Sequence, residues 1–284
     1  MKKRAVSVML TAAMVSAMLA GCGSKNAETQ SAADTTAESA VSGADAETTD
    51  ASKTDGTFTV GFDQDFPPMG FVGDDGEFTG FDLEMAAEVA KRLNLTIAYQ
   101  PIAWDAKDME LDAGTIDCIW NGFTMNGRED DYEWSKPYMK NNQVFVVRGD
   151  SDINSEADLA GKNVEVQTDS SAEAALNDNS ELTSTFGSLT PVADYNTAFM
   201  DLESGAVDAI AMDDVVASYQ ITSRKADFKV LDDVIAAEEY GIGFKKGNTG
   251  LRDKVQATLE EMAADGTAAK ISEKWFGKDI TTIQ

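Results

Sequence analysis

Histidine is absent from this chain of 284 residues. That removes Ser/His/Asp and Cys/His nucleophile arrangements and the usual zinc ligand sets together. Acid–base chemistry would fall to carboxylates, Lys or Tyr, which weakens the case for an enzyme. Cys118 sits inside the apolar run Ile116 to Trp120 with no histidine to activate it, so it reads as a small core residue rather than a reactive thiol. Glu129-Asp130-Asp131 lacks the spacing and glycine of a calcium loop, and Gly241-Ile242-Gly243 lacks the third glycine of a dinucleotide fingerprint. Neither a cofactor nor a metal is expected. Recognition of a small molecule by charge, hydrogen bonding and aromatic contact is the chemistry these residues leave open.

An internal repeat suggests how such residues are positioned. Met109 to Ile119 and Met200 to Ile210 both read MxLxxGxxDxI, 91 residues apart. In each copy a helix carrying Met and Leu ends at a Gly C-cap, turns and enters a buried strand. Two such units imply two lobes of similar build. Elsewhere short β-rich runs alternate with helical ones, as in Phe58 to Phe62, Phe81 to Leu93 and Thr96 to Tyr99, a pattern of parallel sheets with crossover helices. The first repeat strand runs into Asn121-Gly122-Phe123-Thr124 and the second into Asp213-Asp214. Ligands of open parallel sheets bind at the carboxyl ends of strands, so two facing sheets would set these residues on opposite sides of one cleft.

The first residues speak to location. Lys2, Lys3 and Arg4 precede an apolar run from Ala5 to Ala20 that stops at Leu19-Ala20-Gly21-Cys22. This reads as a lipoprotein signal peptide over 1–21, shorter than a membrane span, with Cys22 as the lipidated residue. From 22 to 56 the composition is almost entirely Ala, Ser, Thr, Gly, Asp and Glu, too poor in apolar surface to offset ordering, and reads as a disordered tether. Lys plus Arg number 23 against 50 Asp plus Glu, and loss of the three leader cations would take the formal charge from -27 to -30. Such a body is repelled by nucleic acid and by anionic lipid, so the acyl chains alone would hold it at a membrane.

Ordered along 58–284 are Gly61-Phe62-Asp63-Gln64-Asp65-Phe66-Pro67-Pro68, Gly80 to Glu84, Trp104-Asp105-Ala106, Asn121 to Thr124, Arg128, Ser135-Lys136-Pro137-Tyr138, Val166 to Glu173, and Asp208 to Asp213. Together they resemble solute-binding protein family 3, the polar amino-acid binding components of ABC transporters. The resemblance implies an α/β fold of the type II periplasmic binding protein kind: two Rossmann-like lobes joined by two crossing hinge strands, near Asn141 to Val146 and Glu239 to Phe244. Lobe 1 would comprise 57–142 and 241–284, and lobe 2 143–240.

The same resemblance assigns roles in the interlobe cleft. Arg128 falls where a guanidinium grips the ligand α-carboxylate through paired charge-assisted hydrogen bonds. The stretch before it, Met125-Asn126-Gly127, is one residue shorter than the family pattern. Asp213 matches the carboxylate that receives the α-ammonium, leaving Asp214 to cap the following helix. Ser170 and Ser171 precede a helix from Ala172 to Leu176 and would offer amide groups at its positive end, or simply cap it. Phe66 and Trp104 resemble aromatic walls around the ligand side chain. Phe66 is expected on a loop beside two prolines, and Trp104 just before a helix also suits core packing. Asp63, with Asp65, sits where the ligand's far end is read and would favour an amide or cationic tip. Asn121, Gly122 and Thr124 complete the lining. Asp82 is expected near the lobe surface, without a comparable role.

The implied protein is a monomeric, extracytoplasmic receptor that passes an amino acid or cystine to a permease and its ATPase and binds no nucleic acid. Two alternatives share the fold: a dehydratase using carboxylates such as Glu173 or Asp105, and a sensing or adhesive lipoprotein.

Overall fold

The computed structural model describes residues 56–284. The leader, Cys22 and all but the last residue of the tether lie outside the described residues. The first half comprises β1 (Thr57–Phe62), β2 (Asp65–Phe66), β3 (Gly70–Val72), β4 (Phe78–Thr79), α1 (Phe81–Arg92), β5 (Thr96–Pro101), α2 (Lys107–Ala113), β6 (Cys118–Thr124), β7 (Glu133–Trp134) and β8 (Met139–Arg148). There follow β9 (Asn163–Gln167), α3 (Ser171–Asp178), α4 (Ser180–Thr183), β10 (Ser188–Val192), α5 (Tyr195–Ser204), β11 (Ala209–Asp213), α6 (Asp214–Arg224), β12 (Phe228–Phe244), α7 (Thr249–Ala264) and α8 (Thr267–Phe276).

Rather than two separate sheets facing each other, one sheet runs through the molecule in the order β10-β9-β11-β8-β12-β6-β1-β5, with β7 beside β12. Its outer thirds are parallel: β5 and β6 flank β1, and β10 and β11 flank β9. Between them β8 and β12 run antiparallel and are shared by both lobes. The second crossing strand is longer than the sequence suggested, beginning at Phe228.

Burial on both faces explains why the strands read as apolar runs rather than alternating ones. Successive side chains of β8 go to different cores: Val144 and Val146 to a cluster with α1, α5 and α7, and Phe145 and Val147 to one with Leu159, Val164 and Leu176. On β6, Cys118 and Trp120 face the first cluster, whereas Ile119 and Phe123 join Leu111, Tyr132 and Trp134 in a third. In α1 the buried Phe81, Met85, Val89 and Ala86, Ala90 fall at helical spacing, with acids in the first turn and bases in the last. Both repeat helices, α2 and α5, end on left-handed glycines, Gly114 and Gly205, which satisfy the last carbonyls before each strand begins.

Among the described residues no helix is long and apolar enough to cross a membrane, and no group of three or more acidic or cysteine side chains is placed to hold a metal.

Candidate functional site

The carboxyl ends of four parallel strands converge on one cavity. β1 delivers Asp63 and, just beyond it, Phe66; β6 delivers Asn121, Gly122 and Thr124; β9 delivers Gln167, Ser170 and Ser171; β11 delivers Asp213. Trp104, on a 3-10 turn after β5, and Arg128, on the loop after β6, complete the lining. All ten residues read from the sequence line this cavity, and Gln167 joins them.

Arg128 stands at one side. Its guanidinium stacks over the Phe123 ring at 5.4 Å and donates to the backbone carbonyls of Thr124 at 3.4 Å and Asp169 at 3.1 Å. The shortened stretch before it closes as a tight turn in which Arg128 N donates to the Met125 carbonyl at 3.0 Å. Arg128 lines the cavity with this turn in place. Asp169 adopts a left-handed conformation, φ 58, that turns its carbonyl toward Arg128 while its carboxylate pairs with the buried Lys107. Lys107 in turn lies under Trp104, 5.2 Å from the ring centre.

Asp213 stands elsewhere in the lining, 4 % exposed. Its Oδ1 accepts from Asn141 Nδ2 at 2.9 Å, Gln143 Nε2 at 2.8 Å and the Tyr240 hydroxyl at 2.5 Å. Burial, followed by the charge of Glu238, pushes its carboxyl up to about 8. Asp213 holds the N-cap position of α6 but makes no capping bond, and Asp214 does not take the cap as expected. Asn141, reaching over from β8, accepts from Val215 N instead, at 3.4 Å. The Asp213 side chain is thereby left to the cavity.

Ser170 does cap: its hydroxyl accepts from Glu173 N at 3.1 Å, so α3 starts at the cavity wall with Ser171 as its first residue. The Ser171 hydroxyl lies 3.2 Å from Thr124 Oγ1 and accepts from Gln143 Nε2 at 2.9 Å. Asp63 is 6 % exposed. Its carboxylate accepts from Asp65 N at 2.8 Å and Gln167 Nε2 at 2.7 Å, and desolvation lifts it to about 6. Asp65 faces an adjoining opening with Asp105 and Asp194 rather than this cavity, and accepts from Asn196. Asn121 fixes Asp63 by accepting from its N–H at 2.7 Å, while its own buried Nδ2 has no protein partner.

Two expectations about neighbours are corrected. Phe66 is not on a loop: Asp65–Phe66 form β2, paired with β3, and the ring is buried in the main core as well as lining the cavity, 6.0 Å from Tyr195. The two prolines begin only after it, so they leave its own N–H free to join a ladder. Asp82 is not near the surface but fully buried. Its Oδ2 accepts from Gly122 N at 2.6 Å and the Tyr138 hydroxyl at 2.9 Å, and desolvation lifts it to about 7. It thus anchors the lining from behind. Gly122 has φ +57, and a Cβ there would meet the Phe66 and Tyr240 rings at 3.1 Å. Trp104 serves both readings, lining the cavity and packing edge-on against Phe123 at 5.4 Å.

Sequence reasoning missed Glu238. Asn141, Gln143, Gln167 and Tyr240 fell within stretches it had marked without being singled out.

Comparison with known proteins agrees with this geometry. The family model for bacterial extracellular solute-binding proteins, family 3, matches residues 58–278. The chain is 34% identical over 229 residues to the L-cystine-binding protein TcyJ of Escherichia coli, covering 80% of this chain and 85% of that one. It is 32% identical over 233 residues to the L-cystine-binding protein TcyA of Bacillus subtilis, covering 81% and 84%. An ABC uptake transporter substrate-binding protein from Streptococcus pneumoniae, solved with bound histidine, superposes with a TM-score of 0.77 at 35% identity over 80% of this chain and 94% of that one. With its two lobes on a shared pair of strands and polar strand ends gathered between them, the chain belongs to the bacterial extracellular solute-binding proteins, family 3.

Proposed function

We propose that this chain is the extracytoplasmic receptor of an ABC importer and captures a polar L-amino acid, or cystine, by closure of its lobes. The observation that carries this is a single cavity lined by both a guanidinium, Arg128, and a carboxylate, Asp213, with apolar rings beside them. A zwitterion needs that pairing. Arg128 would take the α-carboxylate together with amide groups at the start of α3, and Asp213 the α-ammonium. Phe66 and Trp104 would enclose the side chain, with Asn121, Gly122 and Thr124 supplying polar contacts along the floor. Asp63 also lines the adjoining opening and, with Gln167 bonded to it, would read the far end, favouring an amide or a cation. The names of the relatives, cystine-binding proteins and a histidine-bound receptor, support the ligand class.

In this reading the lobes comprise 57–142 with 241–284, and 143–240. Contacts between them then include Asp63 with Gln167, Thr124 with Ser171, Arg128 with Asp169 and Asp65 with Asn196. Closure around a ligand excludes water and strengthens every charged contact inside. The chain acts as a monomer, lipid-anchored through Cys22, delivers to a permease and its ATPase, and performs no catalysis. Glu173, a candidate acid for a dehydratase, is instead engaged by the Asp169 N–H at 2.6 Å. Isothermal titration of the full chain against the twenty amino acids and cystine tests the proposal. Saturable binding of one or a few is expected, and no heat from any of them would overturn it.

A further inference from the structure

Asp213 has a buried companion. Glu238, on β12, is 5 % exposed. Asn141 Nδ2 donates to Asp213 Oδ1 at 2.9 Å and to Glu238 Oε1 at 2.8 Å. Gln143 Nε2 donates to the same two oxygens, each at 2.8 Å. Sharing both amide donors makes the two carboxyl groups neighbours, and the charge of Glu238 adds to burial in favouring a proton on Asp213.

Among the described residues, the side chains that hydrogen-bond to the pair are neutral. The Tyr240 hydroxyl donates to Asp213, and the Thr124 hydroxyl donates to Glu238 at 2.8 Å. Tyr240 and Tyr195, both fully buried, have hydroxyls pushed far up by burial and by these same carboxyls. Arg128 spends its hydrogen bonds on carbonyls of Thr124 and Asp169. Asp63, on the β1 side of the cavity, adds negative charge rather than relieving it. Gln143 Oε1 is buried without a protein partner, an acceptor beside the pair for one more N–H. Two ionised carboxylates held at this depth without a cation would repel strongly and lose their hydration.

We propose that Glu238 is a second carboxylate of the ammonium site, that its charge helps keep a proton on Asp213 while the cavity is empty, and that an incoming ammonium group displaces that proton. Glu238 is a positioning residue: it opens onto the groove behind Ser171 rather than into the cavity and acts through Asp213. The inference rests on the receptor reading above. The empty pair binds a proton that the occupied pair does not, so affinity rises with pH, by at most about tenfold per unit, until the pair ionises unaided.

Titration calorimetry of the full chain with L-arginine, L-glutamine and L-cystine, at pH 7 in phosphate, HEPES and Tris, reads the proton directly. The slope of observed enthalpy against buffer ionisation enthalpy is expected to show release of between about half and one proton per ligand bound. Glu238→Gln is expected to reduce that release and to make the dependence of Kd on pH between 6 and 8 shallower. A wild-type enthalpy independent of buffer, or undiminished release in a folded Glu238→Gln, would overturn the proposal and leave the receptor reading standing. The wild-type slope needs no variant, so a misfolded mutant does not spare the idea. Absence of saturable binding by these three and by the remaining amino acids would overturn both.

Discussion

Replacing Arg128 by Ala removes the one cation among the described residues that line the cavity. Truncating one partner of a buried, hydrogen-bonded charge pair costs about 2–5 kcal/mol, much of it the burden of the charge left behind. Arg128 is only half-buried, so water retains some access to the vacated position. The lower part of the range follows, about 2–3 kcal/mol, or roughly 30- to 150-fold in Kd. Arg128→Lys keeps the charge but loses the planar fork, and should fall between the variant and the wild type. Titration calorimetry with the tightest-binding amino acid measures both. Thermal unfolding of the unliganded variants should move little, because the lost bonds are two contacts from a half-buried side chain to backbone carbonyls, one at the end of β6 and one on the loop after β9. A folded Arg128→Ala that binds within fivefold of the wild type would refute the assignment of the carboxylate to this guanidinium.

Three further outcomes are expected. Asp82 carries a carboxyl lifted to about 7 by complete burial, so the folded chain binds its proton more tightly than the unfolded chain does. Stability on its account therefore falls as pH rises from about 4 to about 7 and is level above that. Asp82→Asn keeps an acceptor for Gly122 N and should raise the thermal midpoint at pH 8 but not at pH 4; an equal effect at both would contradict this. Gly122→Ala forces a side chain into a left-handed conformation against two rings, and should cost about 1–3 kcal/mol in chemical denaturation and weaken binding. Cys118 is fully buried and its thiol is pushed up by desolvation. It should resist Ellman's reagent in the native state and react promptly in guanidinium, and rapid native labelling would place it elsewhere.

What the sequence disclosed and what it hid divide along a physical line. The Gly114 and Gly205 caps, the α1 face and the strand ends at Thr124 and Asp213 depend on neighbours a few residues away, and local patterns reported them. The buried polar framework depends on partners far apart in the chain. Asp82 reaches Gly122 across 40 positions, and Glu238 reaches Asn141 across 97. An acid at the start of an amphipathic helix looks like an ordinary first-turn carboxylate, and only the fold reveals that Asp82 points inward. Glu238 was similarly hidden, since Glu238-Glu239 reads as a solvated pair until β12 is laid against β8 and β6. The continuity of the sheet escaped notice because the repeat advertises two units and says nothing of the strands they share.

The passage of β12 back to the first lobe sets an order of assembly. Ile242, Phe244, Leu251, Val255, Leu259 and Met262 belong to the same core as Phe58, Phe81 and Val89. They leave the ribosome after the whole of residues 143–240 has been made. The strands and helices within residues 143–240 are contiguous in the chain, so they are complete while the core around Phe58 and Phe81 still lacks one side. A chain threaded outward from its beginning would carry that apolar face uncovered for most of its journey. A chaperone that favours exposed aromatic surface would thus meet that unfinished core longest, and loss of the last forty or so residues would strip one side from it.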